Sequence, residues 1–259
     1  MPEARAHIGT SGWNYRWWRR VFYPEDLPQR GWYGYYVRHF DTVEINATFY
    51  RLPRLETFER WREVAPKGFI YAVKAGRLIT HLKRLRDCDE PLARFLDGAR
   101  TLGGTLGPIL YQLPPRFECD AGLLAAFADL LPSDLVHVLE FRDESWFGPQ
   151  IRQLLERRGL AFCIHDHSQL EVPAWVTGPV AYWRFHGFTR GPDGNYADSA
   201  LVAAATRMRE EVAKGVPIYA YFNNDAHGCA VQDAQRLAQM LGVRKARRDA
   251  QRRDQPAEQ

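Results

Sequence analysis

His137-Val138-Leu139-Glu140-Phe141-Arg142, then Ile151-Arg152-Gln153-Leu154-Leu155-Glu156-Arg157-Arg158, then Ala161-Phe162-Cys163-Ile164-His165-Asp166: this stretch decides the fold. The outer two runs are short, rich in apolar residues and polar only at their ends, as strands covered on both faces are. The middle run has helical spacing. Strand, helix and strand in about 30 residues form the crossover unit of a parallel sheet, which is right-handed.

The same unit recurs in both directions. Strand-like runs occur at His7-Gly12, Thr42-Asn46, Phe69-Lys74, Pro108-Leu113, Val180-His186 and Ile218-Asn224, which makes eight in all. Helical spacing occurs at Leu55-Val64, Pro91-Leu102, Leu123-Leu131, Leu201-Val212 and Val231-Leu241. Eight units averaging about 30 residues predict one closed α/β barrel of the TIM type. An open doubly wound sheet is the competing architecture. It is disfavoured because Gly9-Thr10-Ser11-Gly12 leads into Trp13, with no Gly-x-Gly-x-x-Gly turn to receive a pyrophosphate. Between Asp166 and Val180 the prolines Pro173 and Pro179 predict a degenerate sixth helix.

Composition agrees with one domain. The chain has 259 residues, 46% hydrophobic and 25% charged, with no apolar stretch long enough for a transmembrane helix. Met1 to Ala6 lack the apolar core of a signal peptide, and the four cysteines show no paired metal or redox spacing. The expectation is a cytoplasmic protein with no membrane partner. The net charge is +4, but Arg244 to Gln259 carries six basic and three acidic residues, so the body is nearly neutral. We therefore expect a barrel over 1–242 and a basic flexible tail over 243–259. Nucleic acid would be met only weakly, through that tail.

In such a barrel the carboxyl ends of the strands form the active face. Polar groups gather there: Ser11, Glu44, Asn46, Lys74, Gln112, Glu140, Arg142, His165, Asp166, Arg184, His186, Asn223, Asn224 and Asp225. A period of two puts Glu44 with Asn46, Glu140 with Arg142, and Arg184 with His186 on one face; Ala72 and Val138 precede Lys74 and Glu140 in the lumen. A carboxylate in such a place must be paired, because an isolated buried charge is costly. Either a polar pocket or internal ion pairs satisfy that requirement. Aromatic residues also follow the strand ends, namely Trp13, Tyr15, Trp17, Trp18, Phe49, Tyr50, Trp146, Phe147 and Trp175. They either wall a pocket or roof the barrel.

Ten motifs in order carry a resemblance. They are Ile8-Gly9-Thr10-Ser11-Gly12-Trp13-x-Tyr15, Phe22-Tyr23-Pro24, Val43-Glu44-Ile45-Asn46-x-Thr48-Phe49-Tyr50, Val73-Lys74-Ala75 and Ile79-Thr80-His81, followed by Leu106-Gly107-Pro108, Gln112-Leu113-Pro114-Pro115, Glu140-Phe141-Arg142-x-x-Ser145-Trp146, Arg184-Phe185-His186-Gly187 and Tyr221-Phe222-Asn223-Asn224-Asp225. Together they resemble the YecE-like family, a domain-of-unknown-function family, from about His7 to Leu241. The resemblance implies a TIM-type barrel and no particular reaction. Arg19 and Arg20 stand where a small residue is expected, which predicts a more cationic lip.

The leading functional expectation is an enzyme, a hydrolase or isomerase, acting on a small polar or anionic ligand that bears phosphate or carboxylate. Lys74, Arg142, Arg184 and His81 would hold the anion. Glu44, Glu140 and His186 are the proton-transfer candidates. Ser11, Trp13, Asn46, Tyr50, Gln112, Trp146, Asp166, Asn223, Asn224 and Asp225 would complete the binding site. Three alternatives remain open. One is a divalent-metal enzyme using Glu44, Glu140, His165, Asp166, His186 and Asp225, disfavoured by the nearby cations. The others are a glycoside hydrolase with two carboxyls, and a non-catalytic ligand or nucleic-acid binder. No cofactor is specified, and no metal ligands are assigned.

Overall fold

A computed structural model describes residues 5–167, 170–187 and 194–243. Eight parallel strands form the wall: β1 (Ala6–Thr10), β2 (Thr42–Ile45), β3 (Ile70–Lys74), β4 (Leu106–Gln112), β5 (His137–Glu140), β6 (Ala161–His165), β7 (Ala181–Phe185) and β8 (Ile218–Phe222). Each pairs with the next from β2 to β8, and β8 pairs with β1. The order is that of a TIM barrel, as the repeating units predict.

Closure between β1 and β2 differs from the other seams. It rests on a single bridge, Ser11 to Glu44, with the Gly12 N–H donating to the Glu44 carbonyl at 2.9 Å. Gly9 permits the approach, since a Cβ there would lie 2.5 Å from the Thr42 carbonyl oxygen. Tyr36 completes the seam: its hydroxyl accepts from the Thr10 N–H at 3.1 Å and donates to the Thr42 carbonyl at 3.0 Å.

Eight helices surround the wall: α1 (Trp32–Tyr36), α2 (Ala47–Tyr50), α3 (Leu55–Val64), α4 (Asp89–Arg100), α5 (Ala121–Asp129), α6 (Pro149–Arg158), α7 (Asp198–Ala213) and α8 (Cys229–Met240). The six longer ones lie where the periodicity places them. The α5 helix starts on Asp120, whose carboxylate accepts from the Leu123 N–H, and α6 stops at Gly159 in the left-handed region at φ 63°. Among the described residues no helix joins β6 to β7. The short α1 and α2 were not anticipated, being under two turns long.

Alternation along the strands sorts the core into two parts. Odd-numbered positions such as Tyr71, Tyr111, Leu139 and Phe141 meet the helices. Even-numbered ones on β3 to β5, with Ala161, Cys163, Tyr182 and Tyr221, fill the lumen. Ala72, Leu110 and Val138 thus sit inside the barrel, directly below Lys74, Gln112 and Glu140.

Candidate functional site

The next lumen position on each strand, toward the carboxyl end, is polar. Glu44 from β2, Glu140 from β5 and Arg184 from β7 are essentially inaccessible to solvent. Arg184 spans the lumen. One terminal nitrogen donates to Glu140 at 2.8 Å and the other to Glu44 at 2.8 Å. Glu44 also accepts from the Ser11 hydroxyl and the Tyr182 hydroxyl, each at 2.7 Å, so both its oxygens are engaged. Glu140 additionally faces Arg142 in an ion pair. Burial would raise the Glu140 carboxyl, but Arg142 and Arg184 together hold it well below the usual carboxylate range.

Above this layer stand Lys74, Arg142 and His186. Lys74 Nζ donates to Gln112 Oε1 at 2.7 Å and lies 4.1 Å from the centre of the Phe49 ring. Burial, and then Arg184, bring its amine down to about 8. Arg142 reaches His186 Nε2 at 2.9 Å. A guanidinium only donates, so that nitrogen carries the lone pair and the proton sits on Nδ1. Nδ1 lies 3.2 Å from the Asn223 amide nitrogen, so this proton placement requires the Asn223 amide to be turned end for end, its oxygen toward the ring. Burial first, and then the two guanidiniums, lower His186 to about 3, so the ring is neutral.

The cluster of Glu44, Glu140, Lys74, Arg142 and Arg184 therefore carries one surplus positive charge at neutral pH. Among the described residues two of its donors, the Nε groups of Arg142 and Arg184, are buried without a hydrogen-bond partner, as is the acceptor Oδ1 of Asn46. Buried polar groups are normally satisfied, which sets these atoms apart.

Comparison with known proteins places the chain. The family described as protein of unknown function DUF72 matches residues 7–259. The chain belongs to the DUF72 family. The family match extends beyond Leu241, the expected limit of the resemblance, and so includes the basic tail. The UPF0759 protein YecE of Escherichia coli K12 is 32% identical over 155 residues, which is 60% of this chain and 54% of YecE. The match thus spans about half the length of that relative. The UPF0759 protein YunF of Bacillus subtilis is 23% identical over 92% of this chain and 95% of its own. A DUF72 family protein from Thermotoga maritima superposes with a TM-score of 0.82 at 26% identity, covering 92% of this chain and 99% of its own. One from Enterococcus faecalis gives 0.78 at 19% identity, covering 93% and 96%.

The DUF72 barrel brings Ser11, Glu44, Lys74, Gln112, Glu140, Arg142, Arg184, His186 and Asn223 into one network, and sets other expected residues apart from it. Trp13 packs edge-on against Tyr33 and Trp61, outside the wall. Trp146 is buried and stacks on Phe141, so it seals the helix layer. Tyr50 is 74% exposed and directed to solvent. The roofing alternative therefore describes Trp13 and Trp146 better than a pocket wall. Asn224 donates to Asp233 of α8 at 2.8 Å, and its role is to hold the β8 loop. The Asp225 carbonyl receives the indole N–H groups of Trp17 and Trp18, which ties the β1 and β8 loops together. Asp166 accepts from the His186 backbone N–H at 2.6 Å and from Tyr196, so it supports His186 from behind.

Several assigned charges change as well. His81 is lowered to about 4 by burial and Lys74, so it offers an anion a hydrogen bond but no charge. His165 donates through Nε2 to the Phe141 carbonyl at 2.7 Å and accepts the His167 N–H on Nδ1, a neutral structural ring. Among the described residues no three His, Cys, Asp or Glu side chains converge as a metal-ligand group. Arg20 pairs with Glu25 rather than adding a free charge to the lip. Tyr182 was missed in the sequence reading, and Phe49 was named there only among the aromatic residues after the strands. Tyr182 could have been found, since it shares the lumen face with Arg184 two positions on.

Proposed function

We propose that this DUF72 barrel is an enzyme that binds a small anionic ligand, carrying a phosphate or carboxylate, at the carboxyl end of its strands and acts on it by acid–base chemistry. The observation that carries the reading is the surplus cation with unpaired, buried guanidinium Nε donors above an otherwise apolar lumen. A lumen that needed only filling would repeat the Ala72, Leu110 and Val138 pattern. In this reading Arg142, Arg184 and Lys74 hold the anion, with Asn46, Gln112 and His81 as hydrogen-bond partners. Glu44 and Glu140 anchor the guanidiniums, and neutral His186 exchanges the proton once the anion has drawn Arg142 off its Nε2 lone pair.

The bridging of Glu44 and Glu140 by one guanidinium supports this reading over glycoside hydrolysis. A sugar bond has no place between two carboxylates joined through Arg184. We further propose a cytoplasmic setting. No helix among the described residues is long and apolar enough to cross a membrane.

The test is thermal denaturation with inorganic phosphate and small carboxylates at constant ionic strength. A saturable stabilisation that disappears in Arg142→Leu is expected. If the midpoint of the unmodified protein moves no more with phosphate than with chloride, the reading is wrong.

A further inference from the structure

Among the charged side chains of the lumen, Lys74 is the exception. Both central glutamates are bonded to arginines, and among the described residues no carboxylate oxygen lies within 4.0 Å of Nζ. Its hydrogen-bond partner is a neutral amide, and that amide is fixed: Gln112 donates from Nε2 to the Leu113 carbonyl while Oε1 accepts from Lys74. The remaining neighbours are the Phe49 ring and the more distant charges of Arg184, Glu140, Glu44 and Arg142. The guanidiniums act against the ammonium and the carboxylates for it, and burial is the largest influence, so the amine is lowered. Lysines become nucleophiles in such surroundings, desolvated and beside other cations. Lys74 as a residue keeps 8% exposure.

The segment after β3 adds an independent sign. It makes a π-helical turn at Leu78–Leu82, then places Arg84, Leu85 and Asp87 at φ of 48°, 67° and 47°. Non-glycine residues in that region cost about 1–3 kcal/mol each and tend to gather at functional sites.

We propose that Lys74 forms a Schiff base, so that the substrate class is a small aldehyde or ketone bearing an anionic group, held by Arg142 while its carbonyl meets Nζ. This deepens the anion-site reading and rests on it. The Nζ lone pair forms the C–N bond, and the carbonyl π pair moves to oxygen, which takes the proton released by nitrogen. The carbinolamine hydroxyl then leaves as water with one added proton, as the nitrogen lone pair forms the C=N bond. The resulting iminium draws electrons from the adjacent carbon, where His186 removes a proton once the anion holds Arg142 and the Nε2 lone pair is released.

The test uses glyoxylate, an anionic aldehyde, with cyanoborohydride as the hydride donor that converts the iminium to carboxymethyl-lysine, on the full chain at pH 7. Glycolate, which has the carboxylate without the aldehyde, serves as the control ligand. The chain has five lysines, so Lys67, Lys83, Lys214 and Lys245 are internal references in the peptide map. Lys74 is expected to label roughly tenfold faster than these or more, given its larger neutral fraction, and to be protected by glycolate. Glycolate should still stabilise Lys74→Arg, to a smaller extent, because Arg142 and Arg184 remain while the nucleophilic amine is gone. Even labelling of all five lysines alongside glycolate stabilisation would overturn the Schiff base and leave the anion site standing. An unlabelled Lys74 with no glycolate or phosphate stabilisation would overturn both. Fast labelling of Lys74 with no glycolate effect would support the amine and remove Arg142 as the holder of the anion.

Discussion

Glu140 receives Arg184 at 2.8 Å and faces Arg142 with no access to solvent. Removing one partner of a buried ion pair leaves an uncompensated charge and costs about 3–5 kcal/mol. Glu140→Gln should lose that much in urea denaturation at pH 7, and the loss should shrink on acidification. The sign follows from the depressed carboxyl of the folded state: its stabilisation is complete above the unfolded value near 4.3 and is lost as pH falls through the lower folded value. Lys74 behaves in the opposite sense. Its folded amine titrates at about 8, below the unfolded value near 10.4, so unfolding takes up protons between them and stability contributed by this site rises with pH. Lys74→Met should flatten that rise between pH 8 and 9.5, before tyrosines ionise, by roughly 1–2 kcal/mol. Alternation made the residence of Glu140 and Lys74 in the lumen legible. Which carboxylate each cation meets was not legible, because Arg184 is 44 positions from Glu140 and 140 from Glu44.

The β1–β2 seam is where element-level prediction and structure diverge most. A closed barrel implies a ladder there, yet one bridge, Gly9 and the Tyr36 hydroxyl do that work. Thr10 and Thr42 are fully buried, so deleting the hydroxyl leaves a donor and an acceptor unpaired. Tyr36→Phe should cost about 1–3 kcal/mol, with faster hydrogen exchange at the Thr10 amide. Unchanged protection at that amide would mean the seam closes by other means. The α1 helix that carries Tyr36 has five residues, too few for periodicity to reveal. The six longer helices were legible because each buries an apolar stripe against the wall; Leu92, Phe95, Leu96 and Ala99 of α4 show it.

At the scale of the whole molecule the lumen is graded, apolar below with Ala72, Leu110, Val138 and Cys163, and ionic above. An anion bound to the ionic end stabilises the folded state by mass action. Phosphate at ten times its Kd should add about 1.4 kcal/mol, or roughly 3–5 °C in Tm for a chain of this size. The shift should be smaller in Glu140→Gln at the same phosphate concentration if the guanidiniums it orients are the binding groups. Calorimetry on both proteins checks this, and equal shifts would place the anion elsewhere.

The eight strands, their parallel order and the inward face of each could be read from sequence alone. Apolar runs, turn residues and the period of two are local properties, and the steric rules of crossovers leave few ways to join them. Only the tertiary structure decided the partners and charge states: Arg184 bridging two glutamates, His81 and His186 neutral, Lys74 without a carboxylate partner among the described residues, and Trp13 and Trp146 outside the lumen. Ion pairing and proton affinity depend on distances between residues far apart in the chain and on how much water folding removes around them. Neither quantity exists until the barrel has closed.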